Sequence, residues 1–347
     1  MKLYKIIIIL VVFFKTETLL SENNLFSVNN IQLEKKNKIT NNALANQAIK
    51  KGFNQLIAKI LLKEDIRKLS DLNNSAIKQL VSYYQISEVQ NDNDKKELVS
   101  FSITFDKFKT HDLFYRRNIS YSEISDKELY ILPILIKDNE IFIFNNNYFY
   151  KNWNEVYKDN LIEFILPLEN IEVIKNINTM KNNLLDLEVR DLFKEYTNKN
   201  LALVIIEENK SKIEKAFIKA MIQDKNITKN LIFNTENLKT NFLNEKLITE
   251  IKKELIDLVK SKNLIDIRTP SFLNVKLELN KNSNLVKLNS RLQNIDLIEN
   301  VYVQELNKDY MNLRIKYLGK LNKMINQLKK ENIELQLFGE TWLIKTL

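Results

Sequence analysis

Hydrophobic positions along this chain fall at two spacings, and the switches between them predict its elements. From Leu25 to Leu33 they alternate, as in a strand. Thr40 then caps a helix whose apolar positions Ala45, Ala48, Ile49, Phe53, Leu56, Ile57, Ile60 and Leu61 sit at helical spacing. Gly52 interrupts that helix at modest cost, as a site of close packing would. Ser75 opens another helix through Ile77, Leu80, Val81 and Tyr84. Glu97 to Phe105 alternates, with Val99, Phe101, Ile103 and Phe105 on one side, and predicts a half-buried strand. Phe108 to Tyr115 reads as a short helix, so the first unit is β-α-α-β-α.

The next stretch opens with an apolar strand from Glu128 to Ile136. The turn Lys137-Asp138-Asn139 joins it to Ile141–Phe144 as a hairpin. The aromatics Tyr148, Phe149, Tyr150, Trp153 and Tyr157 follow. A strand from Leu161 to Leu168, helices at Asn170–Ile177 and Leu184–Tyr196, and a buried strand from Asn200 to Ile206 come next. Residues 213–233 fit a helix through Ile213, Ala216, Phe217, Ala220 and Met221, and nearly as well a hairpin turning at Asp224-Lys225-Asn226. Phe242 to Val259 is a strong amphipathic helix.

The tail of the chain alternates elements most clearly. Phe272–Leu279 is a strand, Ser283 starts a helix, and Ile298–Leu306 and Met311–Tyr317 are strands around the turn Asn307-Lys308-Asp309. Gly319 precedes a helix through Leu321, Met324, Ile325 and Leu328, and Trp342–Leu347 closes the chain as a strand. That order, βαββαβ, is the ferredoxin-like one. The whole is α+β, built of several small α/β units.

The start of the chain has a different pattern. Lys2 and Lys5 precede the apolar run Ile6–Phe14, and polar residues follow from Thr16. A positive start, a short apolar core and then small and polar residues is the layout of a secretory signal peptide. The run covers about 14 Å as a helix, too short for the roughly 30 Å of a bilayer core. An uncleaved anchor and a buried cytosolic strand are the competing readings. The chain contains no Cys, so disulfides, thiol chemistry, thiolate metal sites and a lipid-modified amino terminus are not expected.

Composition changes the picture little. Hydrophobic content of 44% and charged content of 28% are those of a folded protein, long enough at 347 residues for two or three domains. The net charge of +9 invites a nucleic-acid reading. Lys is interleaved with Glu and Asp, however, and only seven of the 53 basic residues are Arg, so a solvated surface and no nucleic-acid partner are expected. Abundant Lys, Ile and Asn suggest an AT-rich bacterial genome.

No catalytic constellation stands out. His111 is the single histidine and reads as a surface residue at a helix start. Gly52, Gly319 and Gly339 are isolated, so no phosphate loop forms. No metal, cofactor or catalytic residue is assigned. Two patches have a functional reading as partner or ligand contacts. Tyr115, Arg116 and Arg117, near Tyr121, place two Arg beside aromatics, against the plainer reading of a solvated helix end. Tyr150 and Trp153 lead the aromatic cluster, whose plainer reading is core packing and whose functional one is stacking on a glycan ring or partner.

Two stretches carry a family resemblance. One is the helix from Asn42 to Leu56 with the strand Leu98–Asp106; the other runs from the strand Leu129–Ile136 to Phe164–Glu172. Together they resemble the DUF2066 family of exported proteobacterial proteins of unknown function. The similarity covers roughly residues 25–260 and rests on element order; this chain's scarce Gly and Arg depart from the family's composition. The resemblance implies an exported envelope protein and favours the hairpin at 213–233.

The expected organisation is a signal peptide (1–21), an N-terminal α+β domain (22–127), a middle α/β domain (128–267) and a C-terminal ferredoxin-like domain (268–347). The expected function is that of a periplasmic, non-enzymatic interaction or assembly module with protein partners in the envelope. It touches membrane only through an uncleaved signal segment, and its closing strand Trp342–Leu347 is a candidate edge for a partner strand. The alternative is an envelope hydrolase using paired carboxylates on glycan or lipid.

Overall fold

The computed structural model describes residues 25–35, 40–89, 98–124, 126–157, 161–209, 212–233, 240–279 and 285–346. The expected signal segment and the helix start at Ser283 lie outside the described residues. The architecture is mixed α+β. Two compact units are built from it: one joins the chain up to Tyr121 with the chain from Ile265, and the other is Ser122–Leu264. Residues 268–347 therefore share a unit with the first part of the chain. Among the described residues no helix is long and apolar enough to cross a membrane.

The described residues open with β1 (Ser27–Glu34), α1 (Asn41–Ile60), α2 (Lys63–Ile66), α3 (Asn74–Gln79), β2 (Val81–Val89), β3 (Leu98–Phe105), α4 (Lys107–Arg116) and the two-residue β4 (Tyr121–Ser122). The first three strands form an antiparallel sheet in the order β1-β3-β2. Thr40 Oγ1 accepts from the Ala43 amide at 3.3 Å and starts α1, as expected. The apolar stripe of α1 covers the face carrying Ile31, Phe101 and Ile103, all buried. Gly52 is the closest approach: a Cβ there would lie 2.8 Å from Ile31 Cδ1 and 3.1 Å from Ile103 Cδ1.

The helix expected to run from Ser75 through Tyr84 is corrected. It ends at Gln79, after Asn73 Oδ1 caps it through the Ala76 amide at 2.9 Å, and β2 takes over at Val81. Val81, Tyr83, Tyr84 and Ile86 are β-branched or aromatic, and pairing with β3 outweighs a helical spacing this short.

The middle unit contains β5 (Glu128–Lys137), β6 (Glu140–Phe142), α5 (Tyr148–Asn152), β7 (Glu163–Ile165), α6 (Ile171–Thr179), α7 (Val189–Leu192), β8 (Asn200–Asn209), β9 (Lys212–Ile222), β10 (Lys225–Ile232), α8 (Thr240–Lys262) and the short β11 (Leu264–Ile265) at its boundary. Its sheet runs β10-β9-β8-β5-β6, with β7 beside β5. β5 and β8 are parallel and buried on both faces, which explains their continuous apolar runs. The α8 stripe, including Leu247, Ile251 and Leu255, covers one face with Phe149 and Trp153. Ile177, Leu184, Leu192 and Phe193 cover the other.

Residues 213–233 are the hairpin β9–β10. Gln223 and Asp224 both have positive φ, 50° and 59°, as a tight hairpin turn requires. The helix expected over Leu184–Tyr196 is corrected to a 3-10 turn (Lys181–Asp186) and α7. Leu187 and Glu188 are extended between them, because Leu187 and Val189 are both buried and their spacing alternates. The strand expected over Leu161–Leu168 is only β7.

The last segment is β12 (Ser271–Glu278), α9 (Leu285–Gln293), β13 (Ile298–Leu306), β14 (Tyr310–Tyr317), α10 (Leu321–Lys330), β15 (Ile333–Phe338) and β16 (Thr341–Thr346). Its sheet is five-stranded, in the order β13-β14-β12-β16-β15. The expected order thus closes with a hairpin and not a single strand. Ile333, Leu335 and Leu337 alternate with Glu334 and Gln336, and Gly339 at φ +62° permits the turn into β16. The expectation of an open edge at Trp342–Leu347 is corrected as well: β16 lies inside the sheet between β12 and β15, and the edges are β13 and β15.

Candidate functional site

The terminal sheet has one covered face and one open one. Leu273, Val275 and Leu277 of β12, Met311, Leu313 and Ile315 of β14, and Ile344 of β16 are buried in the core with Leu288, Leu292, Met324 and Leu328 of the two helices. Side chains alternate along a strand, so the intervening residues share the opposite face. Pairing aligns them into rows. Asn274 lies opposite Arg314, and Arg314 opposite Tyr302. The parallel pair Val275–Trp342 places Thr341 beside Asn274, and Thr341 pairs with Phe338. One row therefore reads Tyr302, Arg314, Asn274, Thr341, Phe338 across all five strands.

Aromatic rings and cations meet on this face. The Arg314 guanidinium lies 4.3 Å from the centre of the Phe272 ring, and Lys276 Nζ 4.2 Å from that of Tyr310. Phe272, Tyr302 and Phe338 are exposed by 48%, 44% and 79%, unusual for large apolar side chains. Among the described residues Lys276, Arg314 and Lys345 have no ion pair. Glu305, on the same side, is engaged by the Tyr310 hydroxyl at 2.9 Å and the Asn312 amide at 2.8 Å. The Tyr310 hydroxyl is pushed up from its usual value, chiefly by that hydrogen bond to Glu305. The face thus presents two cations, Lys276 and Arg314, that stack on rings and form no ion pair among the described residues, with Glu278 and Glu305 on the same side.

No protein-family model, curated protein or solved structure matches the chain. Its chemistry is therefore read from the geometry alone.

His111 is not the surface residue expected. It sits inside α4, 4% exposed, with Nδ1 2.8 Å from Glu299 Oε1. An ionised carboxylate only accepts, so Nδ1 carries the hydrogen. The ring stacks on Tyr121 at 5.1 Å and meets the edge of Phe26 at 5.3 Å, while Nε2 is buried with no hydrogen-bond partner among the described residues. The hydrogen bond from His111 holds the Glu299 carboxyl below the usual range, helped by Lys107 and Lys316 and opposed by burial. Burial pushes Asp296 the other way, against the Leu25 amide that donates to it at 3.2 Å and against Lys107, His111 and Lys59. Lys107 Nζ donates to the Ile298 carbonyl at 2.6 Å. These contacts tie the first segment to β13. Nothing in the local sequence of His111 announces a partner 188 residues away.

The residues singled out by sequence do not converge. Tyr115 is 59% exposed, and Arg116 pairs with Asp112 of its own helix at 2.6 Å. Arg117 makes a bidentate pair with Asp71, at 3.0 and 2.7 Å, which lowers the Asp71 carboxyl. Both Arg are thus already engaged in exposed pairs. Tyr150 donates its hydroxyl to the Pro167 carbonyl at 2.6 Å and packs on one face of the middle sheet. Trp153 is wholly buried on the other face, edge-on to Phe164 at 6.1 Å. The aromatic run is split by the sheet, and Trp153 is core. The residues that sequence reasoning passed over are those of the open face, although the alternation through Phe272-Leu273-Asn274-Val275-Lys276 and Tyr310–Lys316 marks both of its central strands.

Proposed function

We propose that this chain is an exported, non-enzymatic interaction module of the cell envelope, a divergent relative of the DUF2066 proteins that works in the periplasm. The observation that carries the reading is the open face of the terminal sheet, where rings hold two cations that form no ion pair among the described residues. Such a face offers stacking and charge to a partner, with affinity set by a few aromatic and Arg contacts. Lys2, Lys5 and the run Ile6–Phe14 supply the export argument. A hydrolase would need two carboxylates free to reach a substrate. Glu299 is held by His111, and Asp296 accepts the Leu25 amide, so these two neighbouring carboxylates do not form such a pair.

The test is where the chain goes and what its amino terminus is. Expressed in full in a bacterium with an outer membrane, it is expected in the osmotic-shock fraction, with an intact mass lacking the residues before about position 22. A chain retained in the cytosol with Met1 or Lys2 still present would contradict export.

A further inference from the structure

We propose that the open face of the terminal sheet binds an acidic glycan, a polysaccharide carrying carboxylates. The inference names the partner class of the module proposed above and rests on that reading. Four interstrand spacings separate Tyr302 on β13 from Phe338 on β15, about 19 Å across the sheet. The row between them holds the three chemistries that a sugar acid needs. Tyr302 and Phe338 expose rings for the apolar faces of sugars. The side chains of Asn274 and Thr341 are exposed and make no hydrogen bond among the described residues, so they are available to hydroxyls. Arg314, stacked on Phe272, presents a fixed fork to a carboxylate.

Charge argues against the other occupants. A second copy would bring together two faces that each carry more cations than carboxylates. A single nucleic-acid strand carries a phosphate at every nucleotide and is held by many cations. Here Arg314, Lys276, Lys316 and Lys345 share the face with Glu278, Glu305 and Glu334, and pairing places Glu278 beside Tyr310, Glu305 beside Asn312 and Glu334 beside Lys345. An anionic bilayer favours a dense Lys/Arg cluster, and this face interleaves its cations with amides and hydroxyls. A glycan with a carboxylate on every sugar or every other sugar matches that lower charge density.

The experiment is affinity electrophoresis of the full chain through gels containing polygalacturonate, with dextran gels, a single-stranded oligothymidylate and phosphatidylglycerol vesicles as parallel probes. Polygalacturonate is expected to retard the chain and dextran not. Arg314→Ala and Tyr302→Ala are each expected to weaken retardation about tenfold, roughly the loss of one charge-assisted or stacking contact. Arg314→Lys should recover only part, because a point charge lacks the fork. Lys50→Ala, on the exposed side of α1, should leave retardation unchanged, and thermal melting should show all variants folded. Three results would overturn the proposal: no retardation by polygalacturonate, equal retardation by dextran, or binding indifferent to Arg314→Ala. Binding of only the oligothymidylate or only the vesicles, lost in Arg314→Ala, would also overturn it in favour of that ligand. Because the purified chain is used, failure here is separate from failure of the export test.

Discussion

The hydrogen bond between buried His111 and half-buried Glu299 decides how the first unit responds to substitution and to pH. Removing the His111 ring takes away a hydrogen-bond donor to Glu299 and the packing against Phe26 and Tyr121. His111→Ala is therefore expected to cost about 3 kcal/mol, read as a fall in the urea midpoint without loss of secondary structure. The two neighbouring carboxylates act in opposite senses. Glu299 is held below its ordinary pKa by His111, so its stabilisation is present above the unfolded carboxylate pKa and lost as pH falls through the folded value. Asp296 is raised by burial, so it favours folding below the ordinary carboxylate pKa, and that contribution disappears as pH rises through the raised value. Asp296→Asn keeps an acceptor for the Leu25 amide and removes the buried charge. It should raise stability at pH 7 by on the order of 1 kcal/mol, a gain that vanishes in acid. A variant less stable than wild type at neutral pH would show that Asp296 is compensated by its cations.

At the scale of elements, alternation and capping were readable wherever one partner dominated. Thr40 caps its helix through the Ala43 amide as read from the sequence, and the structure adds Asn170 and Asp106 as caps, through the Val173 and Lys109 amides. The strands β3, β5, β8 and β12 to β14 are evident from their apolar positions. What the sequence concealed were strands abutting helices. β2 follows α3 after one residue and β15 follows α10 after two, so their apolar positions extend the helical spacing before the alternation is apparent. His111 was misread for a different reason, since burial by β13 is set by the fold and not by its neighbours in sequence. Gly52 was readable as a close approach, and the structure gives the contact. Leucine there would collide with Ile31 and Ile103, and Gly52→Leu is expected to lower stability by about 2 kcal/mol or more in thermal or urea unfolding. No change would mean that α1 can move off the sheet at little cost.

The whole chain returns to its first unit after the middle one is complete. The core of that unit includes Phe53, Phe101 and Phe114 from the first segment and Leu292, Ile315 and Leu328 from the last. Leu25 to Asp296, Lys107 to Ile298 and His111 to Glu299 are hydrogen bonds between the segments. A chain stopped at position 264 should therefore keep a cooperative transition for the middle unit and lose that of the first, with the exposed core binding a hydrophobic dye. Two full transitions in the truncated chain would show that the first segment folds without the last. The same return brings the open sheet face into the unit that the first segment stabilises. Its role is tested most directly by co-sedimentation of the full chain with envelope fragments from the producing cells. Wild type should sediment with them, and Arg314→Ala, equally folded by its melting curve, should do so about tenfold more weakly. Equal sedimentation of the two would contradict the assignment of that face as the working surface.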